Sequence, residues 1–106
     1  MGFIDFLKKP KIDEGVDEFR AKENAVLLDV RTPVEFSMGR IPGSKNIPVQ
    51  NIELAEKEIP DLNTPIYVYC RSGARSHQAV VFLKRMGYST VIDLGGIVSY
   101  SGKVER

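Results

Sequence analysis

The chain is predicted to fold as an α/β domain with a central parallel sheet and helices on both faces, and three observations predict it. Residues 26–30 and 66–69 are apolar runs of strand length, rich in β-branched or aromatic residues and too short for helices. Segments with helical spacing alternate with them: Ile12, Val16 and Phe19 before the first run, and Ala79, Phe82, Leu83 and Met86 after the second. Neither run alternates apolar with polar residues, which is how strands covered on both faces look. Alternating strands and helices then call for right-handed crossovers that lay the strands parallel in one sheet.

The chain has 106 residues, enough for a single core. Its 15 basic and 14 acidic residues are nearly balanced, which argues against a nucleic-acid footprint. One cysteine cannot form an internal disulfide, and no signal peptide or membrane-length apolar run is present. These features predict a cytoplasmic location, where a thiol stays reduced, and a monomer.

Residues 1–10 read as a short N-terminal amphipathic segment, with Phe3, Ile4, Phe6 and Leu7 ahead of Lys8 and Lys9 and a stop at Pro10. Its polar face is too small for stable membrane anchoring, so packing on the domain is expected. Residues 11–106 form the single domain, opening with a helix over 12–22. The strand at 26–30 follows, and Asp29 and Arg31 lie on one side of the extended chain. Thr32 suits an N-cap, Pro33 the first helical position and Glu35 the first turn, close enough to pair with Arg31. Phe36 and Met38 should supply apolar contacts, and Gly39 should end the helix in the left-handed conformation. Residues 50–59 form a weakly periodic helix closed by Pro60, and 62–65 lead into the second strand. The helix beyond it carries Lys84 and Arg85 in its last turn and Gly87 as a C-cap. Residues 90–94 make the last core strand, followed by a short helix that ends near Gly102.

Between the strand at 66–69 and the next helix lies Cys70-Arg71-Ser72-Gly73-Ala74-Arg75-Ser76. A loop at the carboxyl end of a strand and the amino end of a helix is where open α/β sheets bind ligands, and unpaired N–H groups there favour an anion. A thiol at such a helix start beside arginines can fall from about 8.5 to roughly 3.5–7.5 in pKa, and so be thiolate at neutral pH. Gly73 permits a positive φ, which lets successive amides converge on one point. Ser72 and Ser76 add hydroxyl donors. His77, the only histidine, falls in the first turn after the loop with no third residue to orient it, and reads as a surface side chain.

Cys70-Arg71-Ser72-Gly73-Ala74-Arg75 resembles the active-site loop of the single-domain rhodaneses, the thiosulfate sulfurtransferase family. The likeness extends over residues 26–102. Residues 29–33 resemble the segment after the first core strand, with Asp29 and Arg31 in supporting roles that fix the loop beside the active site. Residues 40–48 resemble a second signature that usually has histidine where this chain has Arg40, and Gly95-Gly96-Ile97 resembles the last one, with Tyr100 where many relatives place tryptophan. The resemblance implies the rhodanese topology and a sulfurtransferase in which Cys70 takes a sulfane sulfur, holds it as a persulfide and passes it on. Arg71, Ser72, Gly73, Ala74 and Arg75 would bind the donor, the two arginines by attraction and the amides by holding the charged sulfur. No metal or other cofactor is implied, because the cysteine carries the transferred atom.

Donors compatible with this chemistry are small anions such as thiosulfate, glutathione persulfide or a protein persulfide, with a thiol or cyanide as acceptor. A non-catalytic module that binds an anion or a partner is the first rival reading, and the presence of Cys70 weighs against it. A cysteine phosphatase or arsenate reductase is the second. The related phosphatases have five residues between cysteine and arginine, whereas four separate Cys70 from Arg75.

Overall fold

A computed structural model describes residues 9–106, so the expected N-terminal segment, 1–10, lies mostly outside the described residues. Helix α1 spans Lys11–Arg20, followed by β1 (Val26–Asp29), α2 (Pro33–Met38) and β2 (Ser44–Asn46). A 3-10 segment, Val49–Leu54, runs into a single turn, α3 (Ala55–Glu58). Strand β3 (Ile66–Cys70), helix α4 (Ala74–Arg85) and β4 (Val91–Gly96) complete the core, and a 3-10 turn at Ile97–Ser99 follows. Among the described residues no helix is long and apolar enough to cross a membrane.

The four strands lie in the order β2-β1-β3-β4, all parallel. The side-chain period of two divides β3 between the faces. Ile66, Val68 and Cys70 join Leu28, Ala79, Val80, Leu83 and Tyr88 under α4 and the 3-10 segment, whereas Tyr67 and Tyr69 join Leu27, Leu94, Ile12 and Val16 under α1. Every residue of β3 is buried, as its unbroken apolar sequence requires. The chain leaves β1 toward β2 and returns to β3 on the other side of β1. The loops after β1 and β3 therefore part at the switch point where sheets of this kind hold their ligands.

Four features differ from expectation. Strand β2 is not among the expected strands, because Ser44, Lys45 and Asn46 carry no apolar pattern and occupy a sheet edge. Residues 50–59 are not one α-helix: Asn51, at φ −114° and ψ 26°, breaks the regular backbone, and Leu54 is exposed. Gly39 has φ 161°, which is extended rather than left-handed, and Met38 points into solvent instead of the core.

Candidate active site

The loop after β3 is built on backbone donors. The alternation that sends Val68 toward α4 also sends Cys70 there, and its side chain is buried beneath the amino end of that helix. Gly73, the N-cap of α4, has φ 116°, a conformation that L side chains rarely adopt, and its amide donates to Cys70 Sγ at 3.0 Å. Burial pushes the thiol up, but the Ser76 hydroxyl and the amides of Ser76, Gly73 and Ser72 outweigh it and hold the thiol below its ordinary value. The leading causes of the drop are thus a hydroxyl and amides rather than the arginine charges expected from sequence.

Ser76 is buried, and its hydroxyl lies 3.0 Å from the Gly73 carbonyl and 2.8 Å from Asp93 Oδ1. One hydroxyl hydrogen serves one acceptor fully at a time, so the thiolate competes with both. Asp93 Oδ1 also accepts from the Gly95 amide at 2.9 Å. His77 is largely exposed, and its Nδ1 lies 3.9 Å from Asp93 Oδ2, too far for a hydrogen bond. It does not form a pair with Cys70.

Beneath the loop is a glycine whose role sequence reasoning did not identify. A Cβ on Gly96 would stand 2.2 Å from the Arg71 carbonyl oxygen and 2.5 Å from Ser72 Cα, so the loop and β4 touch backbone to backbone. The Val98 amide ties the same Arg71 carbonyl at 3.2 Å. The Gly95-Gly96-Ile97 signature was the available signal.

The loop after β1 is closed by side chains. Asp29, fully buried, receives Arg31 Nε at 3.0 and 3.1 Å and Arg31 Nη2 at 2.7 Å, and Nη2 also reaches the Gly39 carbonyl at 2.7 Å. Arg31 therefore pairs with Asp29 and not with Glu35. Glu35 closes a capping box with Thr32 and receives both Arg75 Nη atoms, at 2.6 and 3.0 Å. The Arg75 hydrogen bonds lower the Glu35 pKa most, to about 2, with burial opposing and the Thr32 amide and hydroxyl assisting. Asn46 Nδ2, another residue not singled out from sequence, donates to the Asp29 and Arg31 carbonyls at 2.9 Å and pins this loop to β2. Arg40 stacks over Phe36 at 4.9 Å and bridges to Glu105 at 3.4 Å.

Arg71 is exposed and lines a cleft of about 270 Å³ with Met38, Ile97 and Val98. A groove of about 510 Å³ lies elsewhere, between the Val49–Leu54 segment and α4, but its lining residues include no thiol, hydroxyl or imidazole. Of the two, only the smaller is lined by a residue of the Cys70 loop, Arg71. Among the described residues no three His, Cys, Asp or Glu side chains gather as a metal site would require.

Residues 13–103 match the model of the rhodanese-like domain. A sulfurtransferase of Allochromatium vinosum is 41% identical over 80 residues, which cover 74% of each chain. The thiosulfate sulfurtransferase PspE of Escherichia coli is 37% identical over 71 residues, covering 66% of this chain and 68% of that one. A solved structure described as a rhodanese with anions from E. coli superposes with a TM-score of 0.72 at 31% identity, covering 77% of this chain and 98% of its own.

Proposed function

This chain belongs to the family of rhodanese-like domains, and on that premise we propose that it is a sulfurtransferase working by a ping-pong route through a persulfide on Cys70. The observation that carries the reading is the Cys70 sulfur itself, held under the Gly73 amide at the start of α4 with its pKa lowered. In the first half-reaction the thiolate attacks the outer sulfur of a sulfane donor. A new S–S bond forms at Cys70, the donor's own bond to that sulfur breaks, and the electron pair leaves with the rest of the donor. The loop amides that steady the thiolate stand next to the terminal sulfur of the resulting persulfide anion and stabilise its charge. A thiol or cyanide then attacks the terminal sulfur, and Cys70 leaves as thiolate.

The other loop residues divide the remaining work. Arg71 offers its guanidinium to the anionic donor, and Ser72, Gly73 and Ala74 offer backbone. Arg75, whose guanidinium is engaged by Glu35, braces the loop against α2. Asp29 and Arg31 hold the facing wall.

Intact mass spectrometry tests the reading. After incubation with excess thiosulfate or an organic persulfide, the protein should gain the mass of one sulfur atom, and cyanide should remove it as thiocyanate. Cys70→Ser should gain nothing. A wild type that takes up no sulfur from any donor, or a Ser variant that does, overturns the proposal.

A further inference from the structure

The elements that surround the Cys70 loop, β1, α2, α4 and β4, carry three carboxylates, and these are held in different ways. Asp29 at the end of β1 takes the guanidinium of Arg31, and Glu35 on α2 takes that of Arg75. Asp93 on β4 pairs with no lysine or arginine among the described residues. Its Oδ1 instead accepts the Ser76 hydroxyl at 2.8 Å and the Gly95 amide at 2.9 Å. The other charged groups close to the loop are Arg71, exposed within it, and His77, largely exposed on α4.

Of the three carboxylates, only Asp93 shares a donor with Cys70. The Ser76 hydroxyl is among the groups that hold the Cys70 thiol below its ordinary value. Its hydrogen-bond acceptors here are nevertheless Asp93 Oδ1 and, at 3.0 Å, the Gly73 carbonyl. A hydroxyl has a single hydrogen to give. A carboxylate binds it more strongly than any neutral acceptor does, so an uncharged sulfur cannot draw it away from Asp93. A thiolate carries charge of its own and competes for it.

We propose, building on the sulfurtransferase reading, that Asp93 is a positioning residue for Cys70: it holds the Ser76 hydroxyl off the Cys70 sulfur while that sulfur is uncharged, and yields it when charge arrives there. Charge arrives twice in the cycle, when the thiolate forms and when Cys70 leaves the persulfide. Between these moments the negative charge sits on the outer sulfur of the persulfide, and the hydroxyl returns to Asp93. The hydrogen stays bonded to Ser76 throughout, and only its acceptor changes. Asp93 thereby works against the donors of the loop. It keeps the thiolate more basic than those donors alone would leave it, and a more basic thiolate is the better nucleophile.

The test follows the pH dependence of Cys70 alkylation by iodoacetamide in the wild type, Asp93→Asn, Ser76→Ala and the double variant, with circular dichroism to confirm folding. Asp93→Asn keeps an oxygen for Ser76 and Gly95 but removes the charge, and Asp93→Ala serves the same comparison if the first variant does not fold. The midpoint should fall by roughly half a unit to one unit, because charge on the acceptor about doubles the strength of the bond that holds the hydroxyl away. The rate plateau at high pH should drop about twofold, as the thiolate becomes a weaker nucleophile. In the Ser76→Ala background the same substitution should move the midpoint far less. A midpoint that stays in place or rises in the Asp93 variant overturns the inference, and so does a fall that is undiminished without the hydroxyl, which would make Asp93 a bare charge acting through space. Intact masses after thiosulfate treatment separate the two levels. No sulfur on Cys70 rejects the sulfurtransferase reading whatever the midpoints show, whereas an unmoved midpoint in a protein that does load sulfur rejects only the role of Asp93.

Discussion

The loops after β1 and β3 lie side by side at one edge of the sheet and hold charge in opposite ways. After β1, side chain closes on side chain: Asp29 on Arg31, Glu35 on Thr32 and Arg75, each carboxylate fully occupied. After β3, the Gly73 amide donates to the Cys70 sulfur, and the Ser76 hydroxyl with the Ser76 and Ser72 amides helps to hold the thiol below its ordinary pKa. The first arrangement leaves nothing to offer a ligand and makes a fixed wall. In the second, the donors belong mostly to the main chain and are directed at the sulfur that the proposed reaction uses.

Asp29→Ala should have the largest effect, by opening the wall. It strands Arg31, a residue only 6% exposed, and loss of one partner of a buried pair costs about 3–5 kcal/mol. Urea unfolding would show this as a lower midpoint, and a loss of well under ~1 kcal/mol would mean that the wall does not depend on the pair.

Gly96→Ala attacks the other loop from below. The new Cβ meets only backbone, at the Arg71 carbonyl and Ser72 Cα, so the loop must lift and its amides must shift away from Sγ. Displacing a preorganised donor is worth roughly 10²–10³ in rate, and sulfur loading of Cys70 should drop by that order. Undiminished loading would show that the amide geometry is not what activates the sulfur.

Ser76→Ala sharpens the comparison by removing the one side-chain donor from the backbone set. The pH midpoint of Cys70 alkylation should move up, because the hydroxyl is the leading group that lowers it. Loading at neutral pH should fall several-fold. A midpoint that stays in place would assign the activation to the amides alone.

Glu35→Gln should have the smallest effect. The folded pKa of Glu35, about 2, lies below its ordinary value of 4.5. Its ionised pairing therefore stabilises the fold fully above pH 4.5 and loses that contribution as pH falls through about 2. Both side chains are about a third exposed, so solvent screening should leave a contribution of about 1 kcal/mol. Thermal melts of wild type and variant should differ at pH 7 and converge in strong acid, and equal differences at both would show that the pairing contributes nothing through charge.

What was legible in the sequence follows the distance over which each signal acts. Cys70, Gly73, Thr32 and Pro33 announce themselves within a few residues, and the positive φ at Gly73, the Thr32 N-cap and Pro33 in the first turn form as read. The partner of Glu35 lies forty residues on, at Arg75, and no local window distinguishes it from the nearer Arg31, which has Asp29 instead. Gly96 is required by an approach between β4 and a different loop, invisible until the sheet is assembled. Strand β2 has no apolar pattern to read, because it is held by pairing with β1 rather than by burial of its own side chains.

The seating of the Cys70 loop on Gly96 bears on when that loop can take its shape. The sheet pairs residues far apart in the chain, Leu27 with Tyr67 and Cys70 with Gly96, and such long-range contacts form slowly because loop closure precedes any gain from them. On the ribosome, a nascent chain that has not yet extended β4 carries Cys70 as a solvent-bathed thiol with no seat for its amides. The close approach of Gly96 to the Arg71–Ser72 backbone exists only once β4 is paired with β3, so the loop gains its seat in the same event that completes the core.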